Sequence, residues 1–167
     1  MIRLPSALAA LWRSLFDNTQ HPARYLTRAL LVDLPVTLTI GVLVYLVAPA
    51  HGPDFSKQSL PALLFGLCVL SPVVETLMMT LLFFVLRLVV RRFTHLAMLS
   101  TFCWAGLHSL SAPVWGLAVF WPFLILSICY LTWEAKSRRH AIYLTALLHA
   151  CHNLLPAIAI IAGRYLS

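Results

Sequence analysis

The stretch Ser71-Pro72-Val73-Val74-Glu75-Thr76-Leu77-Met78-Met79-Thr80 decides how the chain is read. Glu75 is the only acidic residue between Asp54 and Glu134, and it falls in the middle of an apolar run from about Ser59 to Val90. An ionised side chain at the centre of a bilayer costs at least about 2.5–3.5 kcal/mol on insertion scales, so a carboxylate there must be neutralised, paired or used. The polar groups that could meet Glu75 inside the membrane are therefore the candidates for a functional site.

The wider composition agrees with a membrane setting. Of 167 residues, 61% are hydrophobic and only 10% charged, with mean hydropathy +0.89, where ordinary globular chains carry about a quarter charged residues. The sequence predicts an all-α polytopic membrane helix bundle in one domain. The formal charge of +7 does not imply nucleic acid, because the basic residues flank apolar segments and so report topology. Cys68, Cys103, Cys129 and Cys151 lie inside apolar segments without a C-x-x-C pair and read as buried free thiols. No continuous apolar core followed by a small-residue cleavage site stands at the N-terminus, so no cleavable signal peptide is expected.

Working outward from Glu75, Ser71-Pro72 divides the long apolar run. Proline removes a helix hydrogen bond and biases the preceding residue out of the helical region. The expectation is a short segment at 59–70, re-entrant or steeply tilted, followed by a span at 72–91. Before it, residues 1–27 form an N-terminal segment in which Leu4, Leu8, Leu11, Trp12, Leu15 and Phe16 line one face of an interfacial helix. The bundle proper is residues 28–167. Its first span runs from about Ala29 to Ala48, with Asp33 read as a headgroup-level charge near Arg24 and Arg28; Pro49, Gly52 and Pro53 form the next loop. Further spans are expected at about 94–110, 114–133 (kinked at Pro122) and 141–163. Basic residues cluster before the first span, after Leu86 and around Lys136 to Arg139, and are sparse in the intervening loops. That alternation favours five crossings with the N-terminus inside and the C-terminus outside.

Few strongly polar groups lie deep in these segments: Glu75, His108, His149, His152 and Asn153. His149 and Asn153 are four apart and share a helix face, with His152 close to it. Measured from the expected inner helix ends, Glu75, His108 and Asn153 lie at roughly 20–24 Å and His149 at about 13 Å. Three helices thus bring a carboxylate, two imidazoles and an amide towards one layer. Lone intramembrane histidines often only join helices, but this combination in a chain so poor in polar residues points to chemistry.

The order Pro72-x-x-Glu75, Trp104-x-x-x-His108, His149-x-x-x-Asn153 resembles the CAAX-protease and bacteriocin-processing (CPBP) family of intramembrane endopeptidases, over about residues 60–155. The match is to a glutamate-threonine variant of the first motif: the family's second glutamate falls on Thr76 and its arginine on Thr80, and Trp104 stands for phenylalanine. The resemblance implies hydrolysis of a peptide bond in a membrane-associated or lipidated peptide. It implies Glu75, His108, His149 and Asn153 as catalytic residues, with Thr76, Thr80, Trp104 and His152 in support.

The residues permit this chemistry. A carboxylate withdrawn from water is a better proton acceptor, so Glu75, helped by His108, would activate a water. His149 and Asn153 would donate hydrogen bonds to the oxyanion. No serine or cysteine is paired with a base in the sequence, and no cofactor is expected. Two alternatives stay open. Glu75, His108 and His149 are adequate zinc ligands with room for a water, although no H-E-x-x-H pattern is present. The threonines at 76 and 80 suit a non-catalytic relative, an immunity protein or a partner for a peptide or another helix. The expected setting is a bacterial plasma membrane, with the lipid bilayer and a membrane-associated substrate as partners.

Overall fold

The structure, a computed structural model, describes residues 5–48, 55 and 57–166. Leu4, at the start of the expected interfacial helix, and the Pro49, Gly52 and Pro53 loop lie outside these residues. The described chain is all-helical: α1 (Ser6–Ser14), α2 (Pro22–Val47), α3 (Leu60–Phe65), a π turn (Gly66–Leu70), α4 (Ser71–Leu86), α5 (Phe93–Ser111), α6 (Trp115–Glu134) and α7 (Arg138–Leu166). Among the described residues, Pro22–Val47, Leu60–Leu86, Trp115–Glu134 and Arg138–Tyr165 are each long and apolar enough to cross a membrane. The 19-residue α5 packs against α6 but is less apolar, carrying His95, Ser100, Thr101 and His108.

The first span begins earlier than the sequence suggests. Pro22 occupies the first turn, where its missing N–H is no loss, and His21 Nδ1 accepts the Ala23 N–H at 3.3 Å. The extra turns change the depth of Asp33. From Pro22 it is eleven residues, or about 16 Å, along the helix. It is 2% exposed, a core residue and not the interfacial charge expected beside Arg24 and Arg28.

The expected division at Ser71-Pro72 is also corrected. Helix runs continuously from Leu60 to Leu86, because the backbone slips into π registration just before the proline. The Ser71 N–H bonds to the Gly66 carbonyl, five residues back. In that register the next carbonyl, that of Leu67, would await an N–H from residue 72, and proline has none. Asn153 supplies the missing donor: its Nδ2 lies 2.8 Å from the Leu67 oxygen. A side chain of α7 thus completes the backbone of the π turn.

α6 is the hub. It is apolar around its whole circumference, the pattern of a helix buried on every side, and Phe123, Ile125, Leu126, Ile128, Cys129, Tyr130 and Trp133 are all buried. α1 is pinned to the basic end of the bundle through the Leu15 carbonyl, which accepts Tyr25 Oη–H at 3.1 Å and Thr132 Oγ1–H at 3.0 Å. At the same end Arg87 forms a bidentate ion pair with Glu134, and Arg138 lies 3.9 Å from the same carboxylate. Cys129 is fully buried as expected, whereas Cys103 and Cys151 face outwards.

The short α5–α6 connection depends on Gly116. A Cβ there would collide with the Ser109 side chain and the Ala105 carbonyl, whereas one at Gly106 would meet nothing within 4 Å. We therefore expect Gly116→Ala to cost about 1–3 kcal/mol by overpacking, read as a lower Tm in detergent. Gly106→Ala, at an open helical position, should leave Tm unchanged or raise it. Equal Tm values for the two variants would contradict this packing.

Candidate active site

Helix lengths set the layer in which the polar groups meet. From the basic end of the bundle, Glu75 is eleven residues from Leu86 and His149 eleven from Arg138, about 16 Å in each case. Asp33 on α2 lies at the same depth. His108 on α5 and Asn153 on α7 are each fifteen residues in, about 22 Å. Because α4 ends at Leu86, earlier than the expected 91, Glu75 and His149 fall in one layer and not two turns apart.

Glu75, His108, His149, His152 and Asn153 all line one cavity of about 720 Å³. Its walls are otherwise mainly apolar, from Leu38 and Val42 of α2, Trp115, Val119 and Phe123 of α6, and Ile160 of α7. It occupies the half of the bundle away from the arginine-rich end.

The two oxygens of Glu75 differ. Oε1 accepts a short hydrogen bond from Ser71 Oγ–H, one helical turn back. Oε2 is buried and has no hydrogen-bond partner among the described residues. It faces His149 Nε2 at 4.0 Å, too far for a direct hydrogen bond and close enough for one bridging oxygen. Ser71 is a site residue the sequence reading missed. That reading paired no serine with a base, yet the i,i+4 spacing of Ser71 and Glu75 on one helix was the available signal.

His108 is held by its own helix and by aromatic rings. Its Nδ1 is 2.9 Å from the Trp104 carbonyl, an acceptor, so Nδ1 carries the proton and Nε2 keeps a lone pair. Trp115 meets the ring edge-on at 4.9 Å, and Phe123 lies 5.0 Å away. Phe123 also stacks on Trp104 at 4.7 Å and contacts His149 at 5.7 Å, so one ring sets the position of both imidazoles. Asn153, expected to serve an oxyanion, already commits one amide N–H to Leu67 and keeps the other.

The expected supporting residues divide. His152 lines the cavity and bonds through Nδ1 to Asp33 Oδ2 at 2.6 Å, a buried pair that the sequence reading missed along with Asp33. Trp104 acts one layer back, through Phe123 and His108. Thr76 and Thr80 are outside the cavity lining. Thr76 is 1% exposed, and Thr80 Oγ1 donates to the Thr76 carbonyl at 2.9 Å. Among the described residues, no three His, Cys, Asp or Glu side chains are gathered as a metal-holding group.

No protein-family profile, curated protein or solved structure matches the chain.

The link between Pro72 and Asn153 can be measured. Asn153→Leu strands the Leu67 carbonyl and should cost about 1–3 kcal/mol. In a Pro72→Ala background an N–H is restored at position 72 and the same change should cost less. A double-mutant cycle on thermal unfolding should give a coupling of about 1 kcal/mol; strictly additive losses would show that the two residues do not share that carbonyl.

Proposed function

We propose that the chain is an intramembrane endopeptidase that hydrolyses a peptide bond of a membrane-associated or lipidated peptide, as the motif order Glu75, His108, His149-x-x-x-Asn153 suggests. The observation that carries this reading is the unpaired Oε2 of Glu75, 4.0 Å from His149 Nε2 on a large apolar-walled cavity. A buried carboxylate oxygen left unpaired is costly for a purely structural role, and this spacing suits a reaction on one carbonyl carbon. Ser71 fixes Oε1 and so aims Oε2 at the attacking water. As the water oxygen bonds to the carbonyl carbon, Glu75 takes its proton. The oxygen that gains charge on the same carbon is then within reach of His149 and the remaining Asn153 N–H. One such donor is worth about 2.7–4 kcal/mol of barrier. The Nε2 lone pair of His108 completes the hold on the water. No step is routed through zinc.

The setting of this reading is a bilayer crossed by α2, α4, α5, α6 and α7, with α1 against the interface and α3 with the π turn as the tilted entry to α4. The arginine-rich end faces the cytoplasm of a bacterium, which puts the cavity in the outer half. The chain would be a glutamate-threonine variant of the CPBP type.

A second reading has its own observation. Because Ser71 donates to Glu75, Ser71 could attack the carbonyl itself and form an ester. The water route is preferred because the Ser71 proton points at Oε1, whereas the unpaired Oε2 is the oxygen facing His149.

The test is cleavage of membrane-tethered peptides by purified protein. Glu75→Gln should lose about 10²–10⁴-fold in kcat, Ser71→Ala less than about tenfold, and a chelator should have no effect. Chelator-sensitive cleavage restored by zinc would replace this mechanism with a metalloprotease. A Glu75→Gln protein that still performs the cellular role would favour a non-catalytic immunity or peptide-binding function.

A further inference from the structure

Peptide hydrolysis needs two proton movements: one leaves the attacking water, and one reaches the departing nitrogen. Glu75 accounts for the first. The second needs a donor on the same cavity, and the structure holds an unused candidate. Asp33 on α2 is 2% exposed. Both of its oxygens accept hydrogen bonds, Oδ1 from Thr37 Oγ1–H at 2.9 Å and Oδ2 from His152 Nδ1–H at 2.6 Å. His152 is itself buried, yet it lines the cavity. With Nδ1 committed to Asp33, Nε2 is the nitrogen left for a substrate.

The pair joins two helices over 119 positions of sequence, and mere helix joining does not require a buried acid paired with an imidazole that lines the cavity. Burying an ion pair is a weak source of stability compared with apolar packing. Its chemical use is clearer. A carboxylate hydrogen-bonded to Nδ1 fixes the ring orientation and stabilises the imidazolium, so Nε2 presents a proton in a defined direction.

We propose that His152 is the general acid of the reaction and Asp33 its positioning residue. The assignment rests on the hydrolase reading. The water oxygen bonds to the carbonyl carbon and one water proton moves to Glu75. The C–N bond then breaks, its electron pair stays on nitrogen, and nitrogen takes the Nε2 proton of His152. The acid product keeps the other water proton. The proton held on Glu75 returns to His152 before the next turnover, so no further reactant is consumed. Glu75 and His152 thus divide the two transfers between α4 and α7.

A comparison of leaving groups tests this. An amide needs a proton on its departing nitrogen, whereas a p-nitrophenyl ester of the same peptide releases an anion that needs none. In His152→Gln, amide cleavage should fall by about 100-fold or more in kcat, with KM little changed and ester cleavage within about threefold of wild type. Asp33→Asn, which keeps the shape and an acceptor oxygen, should show the same selective loss to a smaller degree. Glu75→Gln should lose both substrates, because both need the activated water. Equal loss of ester and amide cleavage in His152→Gln and Asp33→Asn, at unchanged Tm, would assign the pair a structural role and overturn the proposal; so would full retention of amide cleavage. Wild-type protein that cleaves neither substrate would overturn the hydrolase reading itself, and the His152 role with it.

Discussion

A proline without an N–H leaves one backbone carbonyl open inside an apolar layer, and the site is assembled around how that carbonyl is closed. An unsatisfied buried carbonyl costs about 1–3 kcal/mol, and more where water cannot reach it. Pro72 opens the Leu67 carbonyl, the π turn carries the helix past the gap, and Asn153 closes it from α7. That bond fixes the register of α7 against α4. His149 lies one turn before Asn153 and so arrives beside Glu75. Phe123, from the buried hub helix, then spaces His149 from His108. The local defect and the polar cluster are parts of one arrangement.

Two carboxylates lie at the same depth in very different surroundings. Asp33 has a partner on each oxygen, Thr37 and His152. Glu75 has one on Oε1 and none on Oε2 among the described residues. A fully satisfied carboxylate holds its neighbours in place; a half-satisfied one has a lone pair to offer. This contrast underlies the proposed division between a positioning acid and a reacting base: Glu75 lines the cavity itself, and Asp33 reaches it through His152.

Much of this was legible in the chain because polar residues are so scarce in it. Glu75, His108, His149, His152 and Asn153 stand out against apolar surroundings, and the structure places all five on one cavity. Asp33 was misread because the start of α2 is hidden: Pro22 opens a helix as readily as it ends one, and moving that start by seven residues turns a headgroup-level acid into a core acid. Ser71-Pro72 was read as a break because proline's missing bond is local knowledge, whereas its repair by Asn153 spans 86 positions. Ser71 went unnoticed because serine carries little weight in a composition argument. The threonines at 76 and 80 sit outside the cavity, and no spacing rule along one helix could have told which of its faces meets α7.

In the proposed mechanism Glu75 delivers water directly to the carbonyl carbon, and Ser71 only aims it. Intact-protein mass spectrometry on samples acid-quenched during a single turnover tests this most directly, with the new product carboxyl read for ¹⁸O from labelled water. Direct attack by water leaves the protein at unchanged mass at every time point and puts one ¹⁸O in the product. A transient rise in protein mass equal to the acyl half of the peptide, mapped to Ser71 and lost in Ser71→Ala, would contradict it.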